Sequence, residues 1–150
     1  MEEGRPQGTV LGPLAWLIFV DDVVHALRPA RGEAFLYADD ISLLFTGDDP
    51  DTLYEQAQQA LDLLGPWATA NGVVVAPTKS SVTAWAPGDH EPGHPALPLT
   101  FESVTVPYEA EVRFLGLRRD DRQTFRAHIE MVTGKVSRCV RMLRRIGGRS

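Results

Sequence analysis

Phe35-Leu36-Tyr37-Ala38-Asp39-Asp40-Ile41-Ser42-Leu43-Leu44-Phe45 places two adjacent acids at the centre of an otherwise apolar run. Aromatic and branched residues on both sides favour extended strands. The natural reading is a strand, a tight turn and a second strand, with the acids at the tip. Adjacent side chains on a strand point to opposite faces, but a tight turn can aim both into one cleft. Two carboxylates held there make a hard oxygen site suited to magnesium. An acid pair alone is ordinary turn chemistry, which is how Asp48-Asp49 and Asp120-Asp121 are read. Tyr37-Ala38-Asp39-Asp40 within an apolar hairpin is a sharper signal.

Upstream of the hairpin, Gly4 to Pro13 reads as a loop leading into a helix over Leu14 to Leu27, with Pro13 suited to the first turn. Leu14, Leu17, Ile18, Asp21 and Val24 share a mostly apolar face of that helix. Downstream, Asp49 followed by Pro50 marks a helix start. Leu53, Ala57, Ala60, Leu61, Leu64 and Trp67 form its apolar face. Gly65-Pro66 is expected to kink it, and Asn71-Gly72 to end it. Short strands are expected over Val73 to Ala76 and Ser81 to Trp85, and a further strand pair from Leu99 to Val106 and Val112 to Leu117. The Pro/Gly-rich segment from Ala86 to Pro98 reads as an exposed insertion. A last helix, Phe125 to Ile146, is expected to bury Ile129, Val132, Val136, Val140 and Leu143. The order of elements is mixed α+β.

With 150 residues, 43% of them apolar and 23% charged, the chain has the composition of one globular domain. The single cysteine, Cys139, excludes an internal disulfide and a thiolate zinc site, and fits an intracellular, reducing compartment. No signal peptide is expected, and no apolar run approaches the length of a membrane span. The net charge of −5 conceals a division. Residues 1–112 carry four basic against seventeen acidic residues, a balance of −13, and residues 113–150 carry eleven against three, a balance of +8. The basic tail is a candidate footprint for a polyanion, against the plainer reading of a solvated helix.

Tyr37-Ala38-Asp39-Asp40 resembles the catalytic hairpin of reverse transcriptases, in the form usual in the non-LTR (LINE-type) branch. Four other segments resemble that family in the same order. Arg5-Pro6-Gln7-Gly8-Thr9-Val10-Leu11-Gly12-Pro13-Leu14 is similar to the loop and helix that position template and incoming nucleotide. Trp67 and the run from Asn71 through Pro77-Thr78-Lys79-Ser80 are similar to the next palm motif. Phe114-Leu115-Gly116-Leu117 is similar to the primer grip, and Asp121, Thr124-Phe125 and His128-Ile129 to the entry into the thumb. Arg5, Ala76 and Pro66 depart from the common pattern.

The resemblance implies a partial palm over residues 1–120 and the start of a thumb over 121–150. It implies RNA-directed DNA polymerase chemistry, with Mg2+ (or Mn2+) held by Asp39 and Asp40. It also implies contacts of Pro6, Gln7, Gly8, Tyr37 and Ala38 with nucleotide or template. Gly8 would let the backbone approach the nascent base pair. Lys79 would neutralise or protonate the pyrophosphate, against the plainer reading of a solvated loop lysine. Arg138, Arg141 and Arg145 recur on one helix face and would contact phosphates. The expected partners are an RNA template, a DNA primer, deoxynucleoside triphosphates and an upstream fingers and palm portion of the same element. No membrane is expected as a partner, and the nucleus is a candidate location. The family's first catalytic aspartate lies upstream of the Pro-Gln-Gly loop and is not among these residues. The chain is therefore expected to be inactive alone. No endonuclease or RNase H segment is visible. Asp21-Asp22 is read as structural, and His90 and His94 as solvated. The alternatives are a non-catalytic nucleic-acid-binding relic and an unrelated α+β domain, which would leave the other motifs unexplained.

Overall fold

A computed structural model describes residues 11–86 and 98–147. They fall into two compact units, one of residues 11–80 and 98–106, the other of residues 81–86 and 107–147. The last hairpin groups with the last helix.

The first unit opens with α1 (Gly12–Leu27) and a short 3-10 turn (Arg28–Ala30). A hairpin follows, β1 (Glu33–Tyr37) and β2 (Asp40–Leu44), and then α2 (Pro50–Ala70). The Asp49 carboxylate caps α2 by accepting the backbone N–H and the hydroxyl of Thr52. Those bonds, the hydroxyl's first, hold the Asp49 carboxyl below its ordinary value. Pro66 stands inside α2, which nevertheless runs unbroken through Gly65-Pro66 to Ala70. The helix tolerates the missing N–H on an exposed side, where water can take the orphaned carbonyl.

Every buried apolar residue among the described residues belongs to this unit: Val20, Val23, Leu27 and Ala30, then Ala60, Leu64, Trp67 and Ala68, then Leu99, Phe101 and Val106. The expected apolar face of α1 is not the buried one. Val20, Val23 and Leu27 point into the core, whereas Leu14, Leu17 and Ile18 are exposed. The seam that α2 covers lies toward the C-terminal half of α1, so the earlier leucines meet no partner among the described residues. Inner-face residues Ala34 and Leu43 of the hairpin border a cavity of about 280 Å³ with Val24, Leu27 and Ala60.

The strands expected over Val73 to Ala76 and Ser81 to Trp85 do not form. Pro77–Lys79 is a 3-10 turn, and Val82 makes only an isolated parallel bridge to Tyr108. Nor do the later strands pair as expected. Thr100–Phe101 (β3) and Val104–Thr105 (β4) form one small hairpin, and Glu111–Phe114 (β5) and Leu117–Asp120 (β6) another. Both turns explain this. Glu102 and Ser103 have φ of 48° and 68°, and Leu115 and Gly116 have 47° and 89°. Two successive residues at positive φ match strand twist in a two-residue hairpin, which closes each pair locally. The Gln58 side-chain amide completes the edge of β3, donating to the Thr100 carbonyl and accepting the Thr100 N–H, each at 2.9 Å.

In the second unit, α3 (Arg126–Gly147) follows β6. The Asp120 carboxylate accepts the backbone N–H groups of Thr124 and Phe125, at 2.9 and 2.8 Å, and the Thr124 hydroxyl. These bonds, the Thr124 N–H first, lower its pKa. The residues expected to be buried along α3 are open instead, from Val140 at 40% to Leu143 at 67%. The helix is amphipathic, but no described element covers its apolar side. No helix among the described residues is long and apolar enough to cross a membrane.

Replacing Asp49 with alanine removes an acceptor that α2 uses at its first turn. A melting temperature lower by a few degrees, with helix content reduced, is the expected outcome by circular dichroism. For Asp120 the sign is set by its lowered pKa. Its contribution is complete above the ordinary carboxylate value, about 4, and disappears as pH falls through the lowered one. The parent should therefore exceed Asp120→Asn in denaturant resistance at pH 7, and the gap should close below about pH 4. A gap independent of pH would refute this assignment.

Candidate functional site

β1 ends at Tyr37 and β2 begins at Asp40, so Ala38 and Asp39 are the two turn residues. Tyr37 and Asp40 pair directly across the strands, which puts their side chains on one face of the hairpin. Phe35 and Ser42 lie on that same face. It is open: Phe35 is 47% and Tyr37 64% exposed. The opposite face, with Ala34, Leu36, Ile41 and Leu43, is half-buried.

Ala38 has φ of 51°, and Asp39 is not in that region. Positive φ at the first turn residue alone is where hairpins favour glycine. An L-residue there costs about 1 kcal/mol. The Ala38 carbonyl accepts a hydrogen bond from the Trp16 indole N–H of α1. Nothing in the spacing of the sequence announces this bond. The only available signal was a tryptophan outside the core seam of α1, since an indole N–H that is partly covered usually finds an acceptor.

The side chains of Asp39 and Asp40 are exposed and have no hydrogen-bond or ion-pair partner among the described residues. Two uncommitted carboxylates on consecutive residues fit a hydrated divalent cation, because magnesium keeps several waters and takes one or two carboxylates. They do not fill a coordination sphere. No group of three or more His, Cys, Asp or Glu is gathered among the described residues. Lys79 ends the exposed Pro77–Lys79 turn, and no ion pair joins it to Asp39 or Asp40. Asp22 accepts the Trp67 indole N–H at 3.0 Å, which ties α1 to α2 in keeping with the structural reading of that acid pair. Pro6, Gln7 and Gly8, like His90 and His94, lie outside the described residues.

In the second unit, Phe114, Leu115, Gly116 and Leu117 make the tip of the β5–β6 hairpin. Phe114, Leu115 and Leu117 are 37% to 51% exposed, an open apolar tip and not a core strand. Arg138, Arg141 and Arg145 are all exposed on α3, with the Arg141 Nε donating to the Ser137 carbonyl at 3.3 Å. At the entry to α3 the acid that holds Thr124 and Phe125 is Asp120, and His128 Nδ1 accepts the Arg118 N–H at 3.3 Å.

Comparison with known proteins gives a consistent answer. The family model "Reverse transcriptase (RNA-dependent DNA polymerase)" matches residues 1–118 and so stops short of α3. The chain is 28% identical to the "Probable RNA-directed DNA polymerase from transposon BS" of Drosophila melanogaster, over 96% of the chain and 16% of that protein. It is 30% identical to the "RNA-directed DNA polymerase from mobile element jockey" of Drosophila funebris, over 86% of the chain and 14% of that protein. It is 27% identical to a Pol polyprotein of the type-1 retrotransposable element R1 of Bradysia coprophila, over 95% and 14% respectively. The chain thus spans about one seventh of the length of these curated relatives. No solved structure matches it. With a family match over most of its length and relatives drawn from several such elements, the chain belongs to the reverse transcriptase (RNA-dependent DNA polymerase) family, in the non-LTR retrotransposon branch.

Proposed function

We propose that this chain supplies the C-terminal part of a polymerase palm and the start of its thumb, divided near residue 120. In the whole protein it would take part in copying an RNA template into DNA from a primer. One observation carries the reading. Tyr37-Ala38-Asp39-Asp40 sits at the turn of a two-stranded hairpin, with both carboxylates open and uncommitted among the described residues. In this proposal Asp39 and Asp40 hold Mg2+ or Mn2+. A cation bound there supplies the Lewis acidity that phosphoryl transfer requires. Tyr37 and Ala38 border the incoming deoxynucleoside triphosphate, together with Pro6, Gln7 and Gly8 of the loop before α1. Lys79, on its exposed turn, meets the charge of the departing pyrophosphate. Phe114, Leu115, Gly116 and Leu117 offer an open apolar tip against the primer end. The remaining metal ligands and the fingers belong to other parts of the polymerase.

The cation site and the catalytic competence of the chain are tested separately. Mn2+ titration followed by electron paramagnetic resonance should show weak binding, abolished in Asp39→Ala and in Asp40→Ala. Primer extension on an RNA template should be undetectable with the chain alone, because two carboxylates make only part of a two-metal site. Robust extension that Asp39→Ala abolishes would show that the chain already holds a complete site.

The basic helix supports a second component, binding to a nucleic-acid backbone, which would persist in a relic without activity. Arg138, Arg141 and Arg145 are exposed together on α3. Removing all three charges should weaken binding to a primer–template duplex without regard to sequence. The log–log salt dependence should flatten by about one unit for each phosphate no longer neutralised. Equal affinity and equal slope in the triple variant and the parent would rule out this role for α3.

A further inference from the structure

We infer that Trp16 is a positioning residue for the Asp39-Asp40 pair, a role that rests on the reading above that the pair holds a divalent cation. Ala38 keeps a positive φ that alanine does not adopt without support. The support comes from outside the hairpin. The Trp16 indole N–H, twenty-two residues earlier in the chain, donates to the carbonyl of Ala38. That carbonyl and the N–H of Asp39 belong to one planar peptide unit. A bond that fixes the oxygen therefore fixes the plane from which the Asp39 side chain departs.

Trp16 is itself held. Its ring lies 5.6 Å from that of Phe19, and Phe19 lies 6.3 Å from Trp67, both pairs tilted. Aromatic pairs at these distances attract beyond their burial. Trp67 is 8% exposed and anchored by its own bond to Asp22. The three rings form a brace from the α1–α2 core to the turn. Its inner end is buried and bonded, and its outer end holds the peptide that carries the first carboxylate. The same helix begins four residues after Gly8, so the segment proposed to touch template and nucleotide is continuous with the element that steadies the turn.

Trp16→Phe keeps a ring and deletes the N–H. Ala38→Gly removes the need for support, since glycine takes positive φ freely. The 150-residue chain, the two single variants and the double variant are compared by three measurements: Mn2+ affinity from electron paramagnetic resonance, the Ala38 amide–α-proton coupling from NMR, and the melting temperature. Trp16→Phe should weaken Mn2+ binding by about three- to ten-fold, the factor that corresponds to one hydrogen bond of ordinary net strength. It should also shift the Ala38 coupling. The added Ala38→Gly change should recover part of the Mn2+ affinity, which a merely structural defect would not allow. An unchanged Ala38 coupling in Trp16→Phe overturns the proposal whatever the Mn2+ result, as does a weakened affinity that glycine fails to recover. A parent that binds no Mn2+ defeats the metal reading and the positioning role with it, and a shifted coupling would then leave Trp16 as a turn brace only. Should Trp16→Phe fail to fold, Phe19→Leu loosens the brace while keeping the N–H, and is judged by the same criteria.

Discussion

The register of β1 against β2 is the constraint on which the site depends. Tyr37 opposite Asp40 leaves room for only two turn residues, and it assigns Asp40 to the face that is open. A slip by one residue would exchange the faces. The apolar residues of the slipped strand would then turn to the open face, and in β2 the Asp40 carboxylate would turn to the half-buried one. Partial burial of Ala34, Leu36, Ile41 and Leu43 opposes that slip, although none of the four is fully enclosed. A two-stranded hairpin is marginal by itself. The site therefore relies on α1 and α2, whose contact supplies most of the buried apolar residues.

Much of this was legible in the sequence. The hairpin, the cap at Asp49 and the three long helices follow from local chemistry: alternation, an acid before proline, and spacing near 3.6 residues. The family followed from the order of motifs. What escaped depends on partners. Periodicity shows that Leu14, Leu17 and Ile18 share a face of α1, but the core took Val20, Val23 and Leu27, because α2 crosses nearer the end of the helix. The pairing of the later strands departs from the expectation because a Glu102-Ser103 turn at positive φ has no glycine to announce it. At the site, the two acids were visible, and the indole that reaches their turn was not. A hydrogen bond between residues 16 and 38 leaves no periodic trace.

The two units differ in how they are held together. The first has a continuous apolar core and polar cross-ties, such as Gln58 on Thr100 and Trp67 on Asp22. The second has none of the buried apolar residues among those described. It is held by the β5–β6 hairpin turn, the Asp120 cluster, the Arg118–Glu111 ion pair and an Arg119 guanidinium 4.1 Å from the centre of the Trp85 ring. Ion pairs as exposed as this one contribute little. Cation–π contacts contribute about 0.5–1 kcal/mol where water has access. Cooperative unfolding across the whole chain is therefore not the natural expectation, and a single melting transition would report mainly on the first unit.

The open flank of α3 has a consequence for how it meets other molecules. Helices in proteins draw most of their stability from the packing of an apolar face, and Val132, Thr133, Gly134, Val136 and Val140 are weak helix formers. Its middle and far turns should thus open with little free-energy cost and exchange their amide protons early, with only the Asp120 end protected. Whatever covers the flank completes the ordering of the helix as it binds. Such a segment gives up affinity to conformational entropy, and in return its attachment is easily reversed.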